Sequence, residues 1–234
     1  MARKGLSRDT IVDTAAALAE EKGMENLTLR ELADALNVKP ASLYNHLQGL
    51  PELNVRLAER ALDRLIDTLQ QAVDIRPVTG ALRALATSYR SFAQEQPQLY
   101  RAMMMLPQFS DPGLIARKQA FMDLFVRMLA PLDLPSEERV HLSRLIRSTL
   151  HGFVSMEAAG FFRSPLATAD ESFERTTEWL CEQIERMEVQ YHGRTSNQRS
   201  AGTPFSSDDR GAARTAHLQN GRADHHQHAH HLDL

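Results

Sequence analysis

A single cysteine, Cys181, in 234 residues leaves no partner for an internal disulfide and suits a reducing cytosol, so a cytoplasmic location is expected. No apolar run reaches membrane-spanning length, and the opening MARKGLSRDT lacks an apolar signal region, so no membrane partner is expected. β-branched residues do not cluster into strand signals; long helical periods dominate instead. Nor is there an excess of positive charge to advertise nucleic-acid binding. The formal net charge is −3, and the first fifty residues hold six Lys/Arg against seven Asp/Glu. Any field that attracts DNA must be local, built from Arg3, Lys4, Arg8, Lys39 and helix N-termini. The length allows one or two domains with a substantial core. No glycine-rich phosphate loop and no spaced metal-ligand triad occurs, so no cofactor is expected.

What is present centres on TLRELADALNVKPASLYNHL, residues 28–47. Thr28 followed by Glu31 forms a capping box. Leu29, Leu32, Ala33 and Leu36 then recur at helical spacing as one apolar stripe. Asn37 tolerates the left-handed conformation that ends a helix. Pro40 suits the first turn of the next, where its missing N–H costs nothing. Leu43 and Leu47 pack inward, which leaves Ser42, Tyr44, Asn45 and His46 on the other sides. Two short helices joined by a tight turn, the second with a polar and aromatic outer face, make a helix-turn-helix.

The run T-L-R-E-L-A-D-A-L-N-V followed by S-L-Y-N-H-L resembles the DNA-binding domain of the tetracycline-repressor (TetR) family. The resemblance reaches back over a first helix at residues 7–23, capped by Ser7 and closed by Gly23, and forward into a helix beginning near Pro51. One departure stands at Leu50, where the family pattern usually carries a phosphate-binding lysine. A second, shorter resemblance lies at Leu150-His151-Gly152, followed by Phe153 and Glu157. It is similar to the branch of the family whose regulatory domain carries a W/L-H-G motif. The implied fold is all-α: a three-helix DNA-binding domain over residues 1–50, then a helical-bundle domain for ligand binding and dimerisation over 51–192. From residue 193 the composition turns polar and predicts a disordered tail, which ends in five histidines within seven positions.

The apolar stripe of Leu53, Leu57, Ala61, Leu65 and Leu69 predicts a long helix linking the two domains. Beyond it, Phe92, Met103, Met104, Phe109, Phe121, Phe125 and His151 are candidates for an apolar ligand pocket, with plain core packing as the alternative for each. The resemblance further implies that the last two long helices pair with those of a second copy. Leu145, Phe153, Met156, Phe173, Leu180 and Ile184 are the expected interface. The function so implied is a homodimeric transcriptional regulator of double-stranded DNA, a repressor released by a small apolar effector. Its recognition helices would enter half-sites about 34–36 Å apart. Lys39 and Tyr44 are expected on phosphates, and Ser42, Asn45, Pro40 and Ala41 at base edges; Asn pairs with adenine, and Ala or Pro meets a thymine methyl. Thr28 and His46 are expected to touch the backbone. Two alternatives remain: a regulator with no inducer, and an enzyme built on His151, Glu157 and His141, for which no nucleophile sits at a suitable spacing.

Overall fold

Side-chain caps decide where several of the helices begin. Ser7 accepts from the N–H of Thr10 at 3.1 Å. Thr28 accepts from that of Glu31 at 3.2 Å. Asp111 accepts from those of Gly113 and Leu114 at 2.8 and 3.2 Å. Each satisfies donors that a helix start leaves without an internal partner. The chain is described here by a computed structural model covering residues 6–105 and 111–200.

Among those residues the order is α1 (Arg8–Lys22), a 3₁₀ turn (Met24–Asn26), α2 (Leu29–Ala35), α3 (Pro40–Leu43), α4 (Leu50–Gln70), α5 (Val78–Glu95), α6 (Pro97–Met105), α7 (Pro112–Leu129), α8 (Ser136–Ala158) and α9 (Ala169–Ser200). No strand occurs among them. No helix among them is long and apolar enough to cross a membrane. The last helix continues eight residues past His192, where composition predicts the tail to start. Once formed, a helix propagates at one hydrogen bond per residue and need not stop where side-chain packing ends. The histidine tract lies outside the described residues.

Helices α1 to α3 form a head, and α5 to α9 form a body. The stripe on α4 belongs to both. Leu53, Leu57, Ala61, Leu65 and Leu69 have no exposed surface, and α4 packs on α1, α5, α6 and α7. Burial of a leucine contributes about 1.5–3 kcal/mol, so this face alone carries a large share of the stability. An ionic seam lies beside it. Arg60 pairs with Asp9 and Asp13 of α1, and Arg64 with Asp13. Glu59, 6% exposed, accepts from Arg56 at 2.7 Å and from Arg117 of α7 at 3.1 Å. A Cβ on Gly113 would collide with the Glu59 carboxylate, so glycine there lets α7 start against the seam.

A second ionic contact ties the body together. Arg90 of α5 donates through Nε to Glu157 of α8 at 2.9 Å and through its terminal nitrogen to Asp170 of α9 at 2.6 Å. The same guanidinium lies 4.8 Å from the Phe173 ring centroid, a cation–π contact. Glu157 of the LHGF…E segment therefore fastens three helices. Farther along the same pair of helices, Cys181 of α9 is buried and directs its thiol at the Thr79 carbonyl of α5, 3.6 Å away; burial pushes that thiol up to about 11. Arg90 is only 12% exposed in its side chain, so Arg90→Met leaves Glu157 half-buried without its counter-charge. We expect a loss of about 2 kcal/mol in urea unfolding, and Glu157→Gln in the same background, which removes the uncompensated charge, should recover part of it.

Candidate functional site

The turn between α2 and α3 is set by Asn37 at φ 54° and by the Val38 N–H, which donates to the Ala33 carbonyl at 3.0 Å. Leu32, Ala33, Leu43 and Leu47 are buried beneath it. Lys39, Pro40, Ala41, Tyr44 and Asn45 are exposed, whereas Ser42 and His46 are half-buried. Tyr44 is 61% exposed, a large amphipathic side chain held outward on a frame that cannot roll without exposing Leu43. The regular part of α3, Pro40–Leu43, is one turn long and ends before Tyr44, Asn45 and His46, the outward residues expected from the sequence. Beyond it the N–H groups of His46 and Leu47 both reach back to the Leu43 carbonyl. The face expected to meet DNA is thus one continuous surface.

Two details differ from the sequence reading. Thr28 is exposed, but its hydroxyl accepts from the Glu31 N–H and donates to the Glu31 carboxylate at 3.0 Å. Its capacity is used within the head. Arg8 is not free to supply positive field. It donates to the His46 carbonyl at 3.1 and 3.2 Å and lies 3.9 Å from Glu52, so it braces the end of α3. Lys39 and Arg30 remain exposed. At Leu50, where no lysine is available, the start of α4 offers backbone N–H groups, the dipole end that suits phosphate.

In the body, α8 divides into three flanks. Phe153 and Glu157 face α5 and α9: Phe153 lies 5.0 Å from Phe173, ring to ring, and Glu157 is held by Arg90. Arg147, His151 and Ser155, spaced by four, face α6 and α7. There the Tyr100 hydroxyl lies 2.6 Å from His151 Nδ1 and 2.9 Å from the Tyr89 hydroxyl. The ring of Tyr89 is 6.5 Å from Phe121, which is 5.3 Å from Phe125. Burial pushes the His151 imidazole below its ordinary range and both phenols above theirs, so this relay is neutral at pH 7. The third flank, Leu145, Gly152 and Met156, faces outward; Leu145 and Met156 are 47% and 44% exposed.

Of the pocket candidates, Phe121, Phe125 and His151 come together around Tyr89 and Tyr100. Phe92 and Met103 are buried, Met104 is 40% exposed on the outer side of α6, and Phe109 lies outside the described residues. Sequence reasoning missed Tyr89, Tyr100 and Arg147. Only the spacing of Arg147 one turn before His151 could have pointed to any of them. The interface expectation needs a larger correction. Phe173, Leu180 and Ile184 are 6%, 6% and 0% exposed, spent against their own subunit, because the stripe on α9 packs on α5. Phe153 is likewise engaged internally. The outward side of α9 carries Trp179 and Val189, 63% and 75% exposed. His151 and Glu157 bond to different helices and form no acid–base pair. His141 is exposed, 3.9 Å from Glu137.

Comparison with known proteins follows this division. Residues 11–48 match the family described as bacterial regulatory proteins, tetR family, and residues 82–180 match the tetracyclin repressor-like C-terminal domain. The HTH-type transcriptional regulator YobS of Bacillus subtilis, itself uncharacterized, is 34% identical over 161 residues, 68% of this chain and 83% of that protein. A protein of unknown function from Rhodococcus sp. RHA1 superposes with a TM-score of 0.66 at 26% identity, over 76% of this chain and 95% of the other. TetR-Q116A from Acinetobacter baumannii AYE, solved in complex with minocycline, shares the fold with a TM-score of 0.60 at 22% identity, over 79% and 99% of the two chains.

Because folding lowers the proton affinity of His151, the unfolded chain binds the proton more tightly. Stability on this account is whole above the ordinary value of 6.5 and is lost as pH falls through the lower folded value. His151→Gln should therefore show a shallower loss of unfolding free energy than the parent between pH 7 and pH 5, measured by urea titration at each pH.

Proposed function

The chain belongs to the TetR family of bacterial transcriptional regulators, which are DNA-binding proteins and not enzymes, and on that premise we propose that it acts as a homodimeric repressor released from its operator by a small molecule. The observation that carries the DNA reading is the outward set of Lys39, Pro40, Ala41, Tyr44 and Asn45 above a buried Leu43 and Leu47. Lys39 and Tyr44 are suited to phosphates, Asn45 and Ser42 to base edges, and Pro40 and Ala41 to a thymine methyl. His46 and the backbone at Thr28 flank the strand.

Dimerisation is supported by the unpartnered sides of α8 and α9. Leu145, Met156, Trp179 and Val189 are large apolar groups left exposed. A Cβ at Gly152 would meet nothing within 4 Å, so a second helix can approach closely there. Two copies related by a twofold axis would bury the same patch on each. The effector site is the region between α6, α7 and α8, where half-buried Phe121 and His151 stand beside a buried aromatic core. A ligand that favours one head separation over the other lowers DNA affinity by its differential affinity for the two states.

Tyr44→Ala should weaken binding to an operator selected from random DNA by tenfold or more, a loss of about 1.4 kcal/mol or greater, with an unchanged melting temperature; normal mobility-shift titration would refute the assignment. Met156→Asp should give monomers in light scattering while keeping helical content. Phe173→Asp, by contrast, should unfold the body, since that ring lies in the core.

A further inference from the structure

We propose that the α6–α7 flank of α8 receives the anionic head of an otherwise apolar effector, with Arg147 as its counter-charge; this deepens, and rests on, the reading of that region as the effector site. Arg147 is half-buried, and its guanidinium carbon lies 5.9 Å from the centroid of Phe125. Its Nε donates to the Ser143 carbonyl at 3.2 Å. No carboxylate among the described residues lies within ion-pair distance of it. The sequence between Met105 and Asp111 holds no acidic residue, so that segment supplies none.

The contrast with the other inward-turned arginines is what singles this one out. Arg56, Arg90 and Arg117 are each paired with two or more carboxylates. A partly desolvated cation without an anion is costly, and burial together with neighbouring Arg144 lowers the proton affinity of Arg147. Phe125 of α7 faces it, and the rest of this flank, beyond that ring, adds no negative charge. Tyr89 on α5 and Tyr100 on α6 are held as neutral phenols, His151 on α8 as a neutral imidazole, and α7 presents the rings of Phe121 and Phe125. Ser155 and the Tyr100 hydroxyl supply neutral hydrogen-bonding capacity 3.4 and 2.6 Å from His151 Nδ1. A ligand with an apolar body lying on the rings and a carboxylate or sulfonate reaching Arg147 would complete the site. The planar fork of arginine matches such a group in two parallel hydrogen bonds.

Two probes of one skeleton test this with the full-length protein. 8-Anilino-1-naphthalenesulfonate carries the anion, and N-phenyl-1-naphthylamine is the same molecule without it. Binding is followed by fluorescence titration. Arg147→Gln should weaken the sulfonate probe by about tenfold, the scale of one charge-assisted bond, and change the neutral probe by less than about twofold. Arg147→Lys, which keeps the charge but not the paired hydrogen bonds, should recover only part of the sulfonate affinity, and Arg144→Gln, the exposed neighbour, should leave all of it. Equal effects of Arg147→Gln on both probes, or an equal effect of Arg144→Gln on the sulfonate, would overturn the counter-charge while leaving a binding site in place. If the parent protein binds neither probe, the effector site itself falls and the proposal with it.

Discussion

Leucines 53, 57, 65 and 69 are wholly buried on one helix that serves two structures. At its start α4 closes the head, and along its length it is the surface on which α6 and α7 are laid. A packed interior does not deform continuously. A displacement of α6 or α7 must therefore either open a gap beside this stripe or carry α4 with it. The ionic seam strengthens the same constraint, because Glu59 is shared between Arg56 of its own helix and Arg117 of α7, and Arg60 and Arg64 extend the seam to α1. Along α4 head and body are thus joined by an apolar and an ionic contact side by side, and the Glu20 carboxylate of α1, which accepts from the Gln98 and Leu99 N–H groups at the start of α6, makes a second joint.

Much of the head could be read directly from its residues. The capping pair Thr28 and Glu31, the left-handed Asn37, the proline at the start of α3 and the glycine closing α1 are local signals, and local signals act within a few residues of themselves. The all-helical fold and the family followed from them. The body was harder, for a physical reason. A stripe such as Phe173, Thr177, Leu180 and Ile184 shows that one side of a helix is apolar, but not which neighbour covers it. Here α5 of the same chain does, and the opposite side, marked only by Trp179 and Val189 in a charged stretch, is left free. The relay from Tyr89 to Tyr100 to His151 joins residues 11 and 51 positions apart, which no periodicity can connect.

The LHGF…E segment shows how closely one helix can be subdivided. Within two turns, His151 turns to α6, Gly152 outward, Phe153 to α9 and Glu157 to α5. Successive residues on a helix are rotated by about 100°, so a short motif can supply one contact to each of several neighbours. Its residues serve different partners and need share no chemistry with one another.

The protection of Cys181 has a practical consequence. Its sulfur is enclosed, and with a proton affinity raised to about 11 it holds almost no thiolate at neutral pH, the form that reacts with maleimides and with oxidants. The native chain thus offers a nearly silent background for thiol labelling. A single cysteine introduced on the surface of the head could carry a spin label or a fluorophore with the rest of the sequence untouched, and in the proposed dimer the separation between the two labels could be read as a distance in solution.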